Sequence, residues 1–205
     1  MIADARLRGL PVSGSTGPQY ILLSNEDSVR LGNLMKINPS IKTRDDNRGI
    51  LEGLRSGAID AVGTDHAPHP LDEKRREYAH APSGMPSVDL LWPLMWELVL
   101  SKELDPWTAL ASVSWRAAQS LHLPGKGRLL PGYDGDLVLF DPTARRVVEG
   151  AKLPSRSKWS AFDGKELGGF PVHVVRRGEI AFTKGAVTAT AGGHPLELEA
   201  PRPRV

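Results

Sequence analysis

The chain has 205 residues, of which 40% are apolar and 24% charged, which suits one sizeable folded domain or two small ones. Its 26 Lys and Arg residues nearly balance its 24 Asp and Glu residues, and no basic block is interleaved with aromatic residues, so the composition argues against a nucleic-acid partner. There is no cysteine, which excludes disulfides and thiolate metal ligands.

The N-terminal residues predict a helix end followed by a short strand. Residues 2–8 have the composition of a helix, and Gly9 is suited to terminate it. The same residues lack the apolar core of a secretory signal. Residues 10–12 predict a short strand. Because a complete domain rarely begins within a helix, the pattern suggests that a longer chain once preceded Met1.

The next segment predicts helix and strand in alternation. Residues 24–27 have the form of a capping box before a short helix. Residues 45–56 carry apolar side chains at helical spacing, and Gly57 ends the predicted helix. Residues 58–64 then predict a short buried strand. This order favours a parallel βα arrangement, in which active sites lie at the carboxyl ends of strands, and Asp65 lies at such an end.

Two stronger helices follow. Residues 87–101 are apolar on nearly every side, which predicts a buried helix whose Met and Trp side chains pack in a core rather than bind a ligand. This stretch contains acidic residues and is too short to cross a bilayer, so we expect a cytoplasmic protein with no membrane partner. Asp105 and Pro106 form an N-cap with proline at the first helical position, which predicts a second helix to about His122.

Beyond residue 122 the composition changes to Pro- and Gly-rich turn clusters around short runs of β-forming residues. Arg177-Gly178 separates two of these runs in the manner of a hairpin turn. The predicted strands are residues 136–140, 171–176 and 179–183. The change divides the chain into an α/β part, residues 1–122; a small β part, residues 123–187; and a polar tail, residues 188–205, which we expect to be flexible.

The clearest chemical signal is the sequence GTDHAPH at residues 63–69. Asp65 can hold a divalent metal such as zinc and take a proton from the bound water, whose pKa the metal lowers to about 7. His69 can donate to a substrate anion. The alternative is that Asp65 caps a turn and that His66 and His69 are polar loop residues. A catalytic zinc takes about three protein ligands, and the remaining histidines have no partner at ligand spacing.

Together with its surroundings, this stretch resembles the last barrel strand of dihydroorotases, in the cyclic amidohydrolase superfamily. The resemblance extends in both directions, from about residue 3 to residue 187. The matching segments are Lys-Ile-Asn-Pro at 36–39, residues 51–61, Glu73-Lys74, Ala-Pro-Ser-Gly-Met-Pro at 81–86, residues 123–138 and residues 155–164.

The resemblance implies a fold, an activity and a set of site residues. The fold is α/β: the last strands and helices of a (β/α)8 amidohydrolase barrel, with part of a small β-sandwich domain. The activity is the metal-dependent, reversible ring hydrolysis of dihydroorotate in pyrimidine synthesis, with zinc as the metal. Asp65 matches the metal-binding aspartate that moves the proton, and Asn38 and His69 match substrate-binding positions. Ser83 and Gly84 match the loop whose backbone contacts the pyrimidine ring. His66 is expected to be a hydrogen-bonded structural residue.

The departures from the family pattern matter equally. The family's H-x-H-x-R motif at strand one and its metal-binding residues of strands four, five and six are absent, and about two of the eight barrel strands are represented. Gln19-Tyr20 stands where the family usually has two histidines, and Ser40-Ile41-Lys42 replaces Pro-Leu-Arg. We therefore expect the chain by itself to have no dihydroorotase activity.

Three hypotheses follow from this comparison. In the first, the chain is the C-terminal portion of a dihydroorotase and acts on dihydroorotate or carbamoyl aspartate only with an N-terminal barrel complement. In the second, it is a non-catalytic structural or interaction module, forming a homodimer through its open edges or docking on aspartate transcarbamoylase. In the third, the substrate is instead a hydantoin, a dihydropyrimidine or allantoin.

Overall fold

The computed structural model describes residues 1–189, 192–196 and 198 of the chain. The first part is mainly helical and contains α1 (Ile2–Leu7), β1 (Ser15–Thr16), α2 (Gln19–Leu22), α3 (Ser28–Leu31), α4 (Arg44–Arg55), β2 (Ala61–Val62), α5 (Leu71–Lys74), α6 (Leu91–Leu100), α7 (Pro106–Val113) and α8 (Trp115–Ser120). The second part contains β3 (Leu137–Phe140), β4 (Arg145–Val147), β5 (Glu166–Gly168), β6 (Pro171–Arg176), β7 (Glu179–Thr183) and β8 (Ala186–Val187). Single 3₁₀ turns occur at Asn25–Asp27, Gly32–Met35, Val88–Leu90 and Gly150–Lys152.

Strands β1 and β2 form a parallel pair, with α2, α3 and α4 between them in sequence, which confirms the predicted parallel arrangement. Ser15 pairs with Ala61 and Thr16 with Val62, so β2 is shorter than the predicted strand. The strand predicted at residues 10–12 is wrong. There the backbone turns, with the Val12 amide donating to the Leu10 carbonyl, and the Val12 carbonyl accepts from the Arg6 side chain instead of a neighbouring strand.

One ion pair fixes the amino ends of this strand pair. Arg6 contacts the Asp60 carboxylate and also donates to the carbonyls of Val12, at 3.1 Å, and Gly57, at 2.7 Å. Asp60 accepts in turn from the Gly14 amide at 2.8 Å. Because the two side chains are only 21% and 16% exposed, water screens this pair weakly. It therefore joins α1 to the residues that lead into both strands.

The helix boundaries follow local capping signals. Asp27 accepts from the Ser24 amide at 2.9 Å, as the predicted capping box requires, and Asp105 caps α7 through the Thr108 amide at 2.9 Å. The helix predicted to run to about His122 is interrupted. At Ser114 the backbone leaves helical geometry, with φ −130° and ψ −101°, and α8 begins one residue later.

The second part consists of two antiparallel sheets, in the orders β3-β6-β7-β8 and β4-β5. The predicted hairpin between β6 and β7 is confirmed: Arg177 and Gly178 have φ values of 52° and 83°, as a turn of the primed type requires. Phe140 at the end of β3 packs edge-on against Trp96 and Trp92 of α6, with ring centroids 4.9 and 5.3 Å apart. Most of the predicted flexible tail lies outside the described residues.

The largest buried cluster spans the boundary predicted near residue 123. Val148, Trp159, Phe162 and Leu167 pack in the same cluster as residues of the helical part, among them Leu94. A second cluster lies around β2, between α4, α6 and α7; it includes Leu51, Leu54, Val62, Met95, Leu98 and Ala109. Within the described residues no helix is long and apolar enough to span a membrane.

The Arg6–Asp60 pair gives a test of this account. We expect Asp60→Ala to lower the free energy of unfolding by about 1–3 kcal/mol, because it removes the acceptor of both Arg6 and the Gly14 amide. The control is Asp4→Ala, which removes the Arg8 partner where the two side chains are 67% and 71% exposed and is expected to cost less than about 0.5 kcal/mol. Urea unfolding of both variants measures the difference, and equal losses would contradict it.

Candidate functional site

The candidate site begins where β2 ends. Asp65 lies three residues beyond the strand, in the left-handed backbone region with φ 51°, and its side chain is exposed. It lies on the wall of an open cleft of about 1040 Å³. The cleft is also lined by Ser15, Thr16, Tyr20, Asn38 and Lys42. The structure thus brings the predicted catalytic aspartate and the predicted substrate-binding asparagine to one cleft.

Tyr20 is the neighbour of Asp65 that sequence reasoning did not find. Its phenol donates to the Asp65 carboxylate at 3.4 Å. Burial raises the pKa of Tyr20 to about 12, and the negative charge of Asp65 and this hydrogen bond act in the same direction. The phenol therefore remains a donor at neutral pH. The only signal in the sequence was the replacement of a family histidine pair by Gln19-Tyr20.

His69, Ser83 and Gly84 form a second group beside the first. The His69 Nε2 atom lies 3.1 Å from the Ser83 carbonyl oxygen, and its Nδ1 atom lies 3.8 Å from the Glu73 carboxylate. Gly84 has φ 136°, and a side chain there would collide with the carbonyl oxygen of Ala67, so glycine is required. These three residues do not line the cleft that holds Asp65 and Asn38.

His66 connects the Asp65 loop to the following segment. Its Nδ1 atom accepts from the amides of Ser87, at 3.0 Å, and Val88, at 3.1 Å. Residues 66 and 85 form a parallel bridge, and the Ala67 amide donates to the Met85 carbonyl at 3.1 Å. His66 is thus a hydrogen-bonded structural residue, as predicted, and it holds residues 85–88 alongside the loop of Asp65.

Lys74 links the two groups of candidate residues. Its side chain is fully buried, and its ammonium group donates to the carbonyls of Lys36 at 3.0 Å, Pro82 at 2.9 Å and Gly84 at 2.9 Å. Burial, together with repulsion from the Lys36 ammonium, lowers the pKa of Lys74 to about 8. The Lys36 carbonyl also accepts from the Gly84 amide at 2.9 Å. The segments before Asn38 and around Ser83 are therefore bonded to each other and to one cation.

These residues do not form a complete zinc site. No group of three or more His, Asp or Glu side chains within the described part of the chain is placed to hold a metal ion. Asp65 is a single carboxylate, whereas catalytic zinc takes about three protein ligands and a water. Asp65 is the predicted metal ligand among the described residues and lacks such partners there, so zinc stays an expectation for a larger assembly.

Comparisons with known proteins identify the family. Residues 10–181 match the model of the amidohydrolase family. The chain is similar to the dihydroorotase of Geotalea daltonii, with 39% identity over 181 residues that cover 88% of this chain and 42% of that protein. It is also similar to the dihydroorotase of Methanosarcina mazei, with 36% identity over 85% of this chain and 39% of that protein. The chain spans about two fifths of the length of these relatives.

Solved structures of hydantoinases have a fold similar to that of this chain. The L-hydantoinase (dihydropyrimidinase) of Arthrobacter aurescens matches with a TM-score of 0.86 and 30% identity, over 92% of this chain and 43% of that protein. The D-hydantoinase (dihydropyrimidinase) of a Thermus species matches with a TM-score of 0.84 and 25% identity, again over 92% and 43%. The predicted resemblance to dihydroorotases is confirmed, and the chain belongs to the amidohydrolase family.

Proposed function

We propose that this chain supplies one side of the active site of a metal-dependent cyclic-amide hydrolase that acts on dihydroorotate. The observation that carries the proposal is that Asp65, at the carboxyl end of β2, and Asn38 line one open cleft. Carboxyl ends of parallel strands are where α/β enzymes of the barrel type place their catalytic groups. The similarity to dihydroorotases supports the choice of substrate.

Asp65 is the proposed proton carrier. Its exposed carboxylate can accept a proton from the water that attacks a ring carbonyl, and return it to the ring nitrogen as the C–N bond of the amide breaks. The Tyr20 phenol donates to one carboxylate oxygen, which leaves the other free for this transfer. A donor with a pKa of about 12 does not compete for the proton at neutral pH.

The substrate carboxylate gives Asn38 and His69 their proposed roles. Dihydroorotate is an anion, and an amide N–H or an imidazole N–H can hold its carboxylate by charge-assisted hydrogen bonds. Asn38 is exposed in the cleft and available for such a bond. His69, together with the backbone of Ser83 and Gly84, would contact the same substrate from the adjacent group, with the ring lying between the two.

A complete site requires partners for Asp65. Among the residues that the structure describes, strand β1 pairs with β2 alone, and the cleft runs along β1 at Ser15 and Thr16. We propose that the chain forms the last strands of a (β/α)8 barrel, whose other strands and zinc ligands come from an N-terminal complement. The other partners to test are a second copy of this chain, in a homodimer, and aspartate transcarbamoylase. Without a complement we expect no activity.

A second candidate function is the hydrolysis of hydantoins or dihydropyrimidines. The solved structures that match the chain carry the names hydantoinase and dihydropyrimidinase. Hydantoin and dihydrouracil lack the carboxylate of dihydroorotate. The two functions therefore differ in whether Asn38 has an anion to bind.

A chimaeric enzyme tests the proposed function. Residues 10–181 replace the matching region of the Geotalea daltonii dihydroorotase, and ring opening of dihydroorotate, hydantoin and dihydrouracil is assayed with zinc. We expect the chimaera to open dihydroorotate. Asp65→Asn should lower kcat by about 10²–10⁴-fold, because the proton carrier is lost.

The control for that experiment is Asp72→Asn, which removes an exposed carboxylate in α5, outside the cleft, and should leave kcat within about twofold. A folded, zinc-loaded chimaera that opens none of the three substrates would contradict the proposal. So would full activity in Asp65→Asn.

Asn38→Ala separates the two candidate substrates. If Asn38 binds the carboxylate, its loss should lower kcat/KM for dihydroorotate by about 10–100-fold and leave kcat/KM for dihydrouracil within about threefold. Ser40→Ala, a change in an exposed residue of the same cleft, is the matched control. An equal loss of kcat/KM for dihydroorotate and dihydrouracil would show that Asn38 does not bind the carboxylate.

A further inference from the structure

We infer that Lys74 is a positioning residue for substrate binding, because its ammonium group fixes the separation between the segment of Asn38 and the segment of Ser83 and Gly84. The inference rests on the proposed function, since it takes those three residues as substrate contacts. Lys74 itself touches no substrate, because it is fully buried.

The contacts of Lys74 account for all of its donors. An ammonium group has three N–H bonds, and here three carbonyl oxygens lie at 3.0, 2.9 and 2.9 Å. One of them belongs to Lys36, two residues before Asn38, and the other two belong to Pro82 and Gly84, which flank Ser83. The cation therefore acts on both segments at once.

The orientation of the peptide units follows from these bonds. In a trans peptide the carbonyl and the N–H point in opposite directions. Since the Pro82 carbonyl points at the ammonium, the N–H of Ser83 points away from it. The Gly84 amide is fixed as well, because it donates to the Lys36 carbonyl at 2.9 Å. The Gly84 N–H and carbonyl are both used in these bonds, so Lys74 sets the direction of the Ser83 N–H, the backbone group left to meet the pyrimidine ring.

Residues next to Lys74 contact His69 and hold it in position. Glu73, the preceding residue of α5, lies 3.8 Å from His69 Nδ1. The Trp159 ring lies over the Lys74 ammonium at 5.8 Å, and its indole N–H donates to the His69 carbonyl at 2.8 Å. The short helix α5 and Trp159 together hold each candidate substrate contact of the second group.

A role in packing alone would not require a cation. A methionine would fill the same space, whereas a buried ammonium is costly to desolvate, as its lowered pKa of about 8 indicates. What methionine lacks is the three donors. Without them the Pro82 and Gly84 carbonyls lose this donor, and the Lys36 carbonyl keeps only the Gly84 amide. The effect of Lys74→Met on the two loops therefore reports the role of the ammonium rather than of side-chain volume.

The test uses the full ¹⁵N-labelled chain, with orotate as a stable, planar analogue of dihydroorotate. The Kd for orotate is measured from the amide shifts of Ser83 and Gly84, and hydrogen exchange is measured at the Gly84 amide. Lys74→Met should weaken orotate binding by about tenfold or more and speed Gly84 exchange by a similar factor, with the amides of α4 unchanged. Arg75→Met, an exposed neighbour, should match the wild type.

Each outcome separates the inference from the proposed function. If the wild-type chain binds orotate, the inference alone is overturned when Lys74→Met leaves either the Kd for orotate or the exchange rate of the Gly84 amide unchanged. If the wild-type chain shifts none of these amides at millimolar orotate, the inference is overturned, because this side of the site then binds no substrate analogue by itself. The proposed function is decided separately by the chimaera, which carries the N-terminal complement. If Lys74→Met does not fold, Lys74→Gln replaces it: with two N–H donors it should give an intermediate loss, and wild-type behaviour there would overturn the inference.

Discussion

The candidate site depends on one buried cation. Lys74 lies in a four-residue helix that has no stability of its own, yet its ammonium joins the Lys36 carbonyl to those of Pro82 and Gly84. Loops are in general more mobile than helices and strands. A group that is hydrogen-bonded to two loops at once restricts their movement relative to each other. The ammonium therefore joins the backbone before Asn38 to that around Ser83, beside the direct bond from the Gly84 amide to the Lys36 carbonyl, before any substrate binds.

Asp65 is held by different means. It follows the parallel pair β1–β2, which Arg6 and Asp60 fix at one end, while His66 bonds the loop to residues 87 and 88 at the other. The two systems meet through the bridge between residues 66 and 85. The second part of the chain contributes too, because Trp159 packs in the largest core cluster and bonds the His69 carbonyl. The site is thus supported from both parts of the chain.

The sequence predicted what local chemistry determines. The Asp105 cap and the Arg177-Gly178 turn depend on residues close together in the chain, and so does the position of Asp65 just beyond a buried strand. The parallel pairing followed from the order of strand, helix and strand signals. It missed what distant residues determine. The partner of Val12 proved to be Arg6 rather than a strand, and the phenol of Tyr20 meets Asp65 across 45 residues. Lys74 was visible only as part of a motif, because the carbonyls that it binds carry no sequence signal.

The most direct test of this account is an NMR measurement on the Lys74 side chain in the ¹⁵N,¹³C-labelled chain at pH 6, below its pKa of about 8. We predict an ammonium signal that exchanges with water more slowly than those of the exposed lysines, with couplings across hydrogen bonds to the carbonyl carbons of Lys36, Pro82 and Gly84. A rapidly exchanging signal without such couplings would contradict the claim that this cation fixes the two loops.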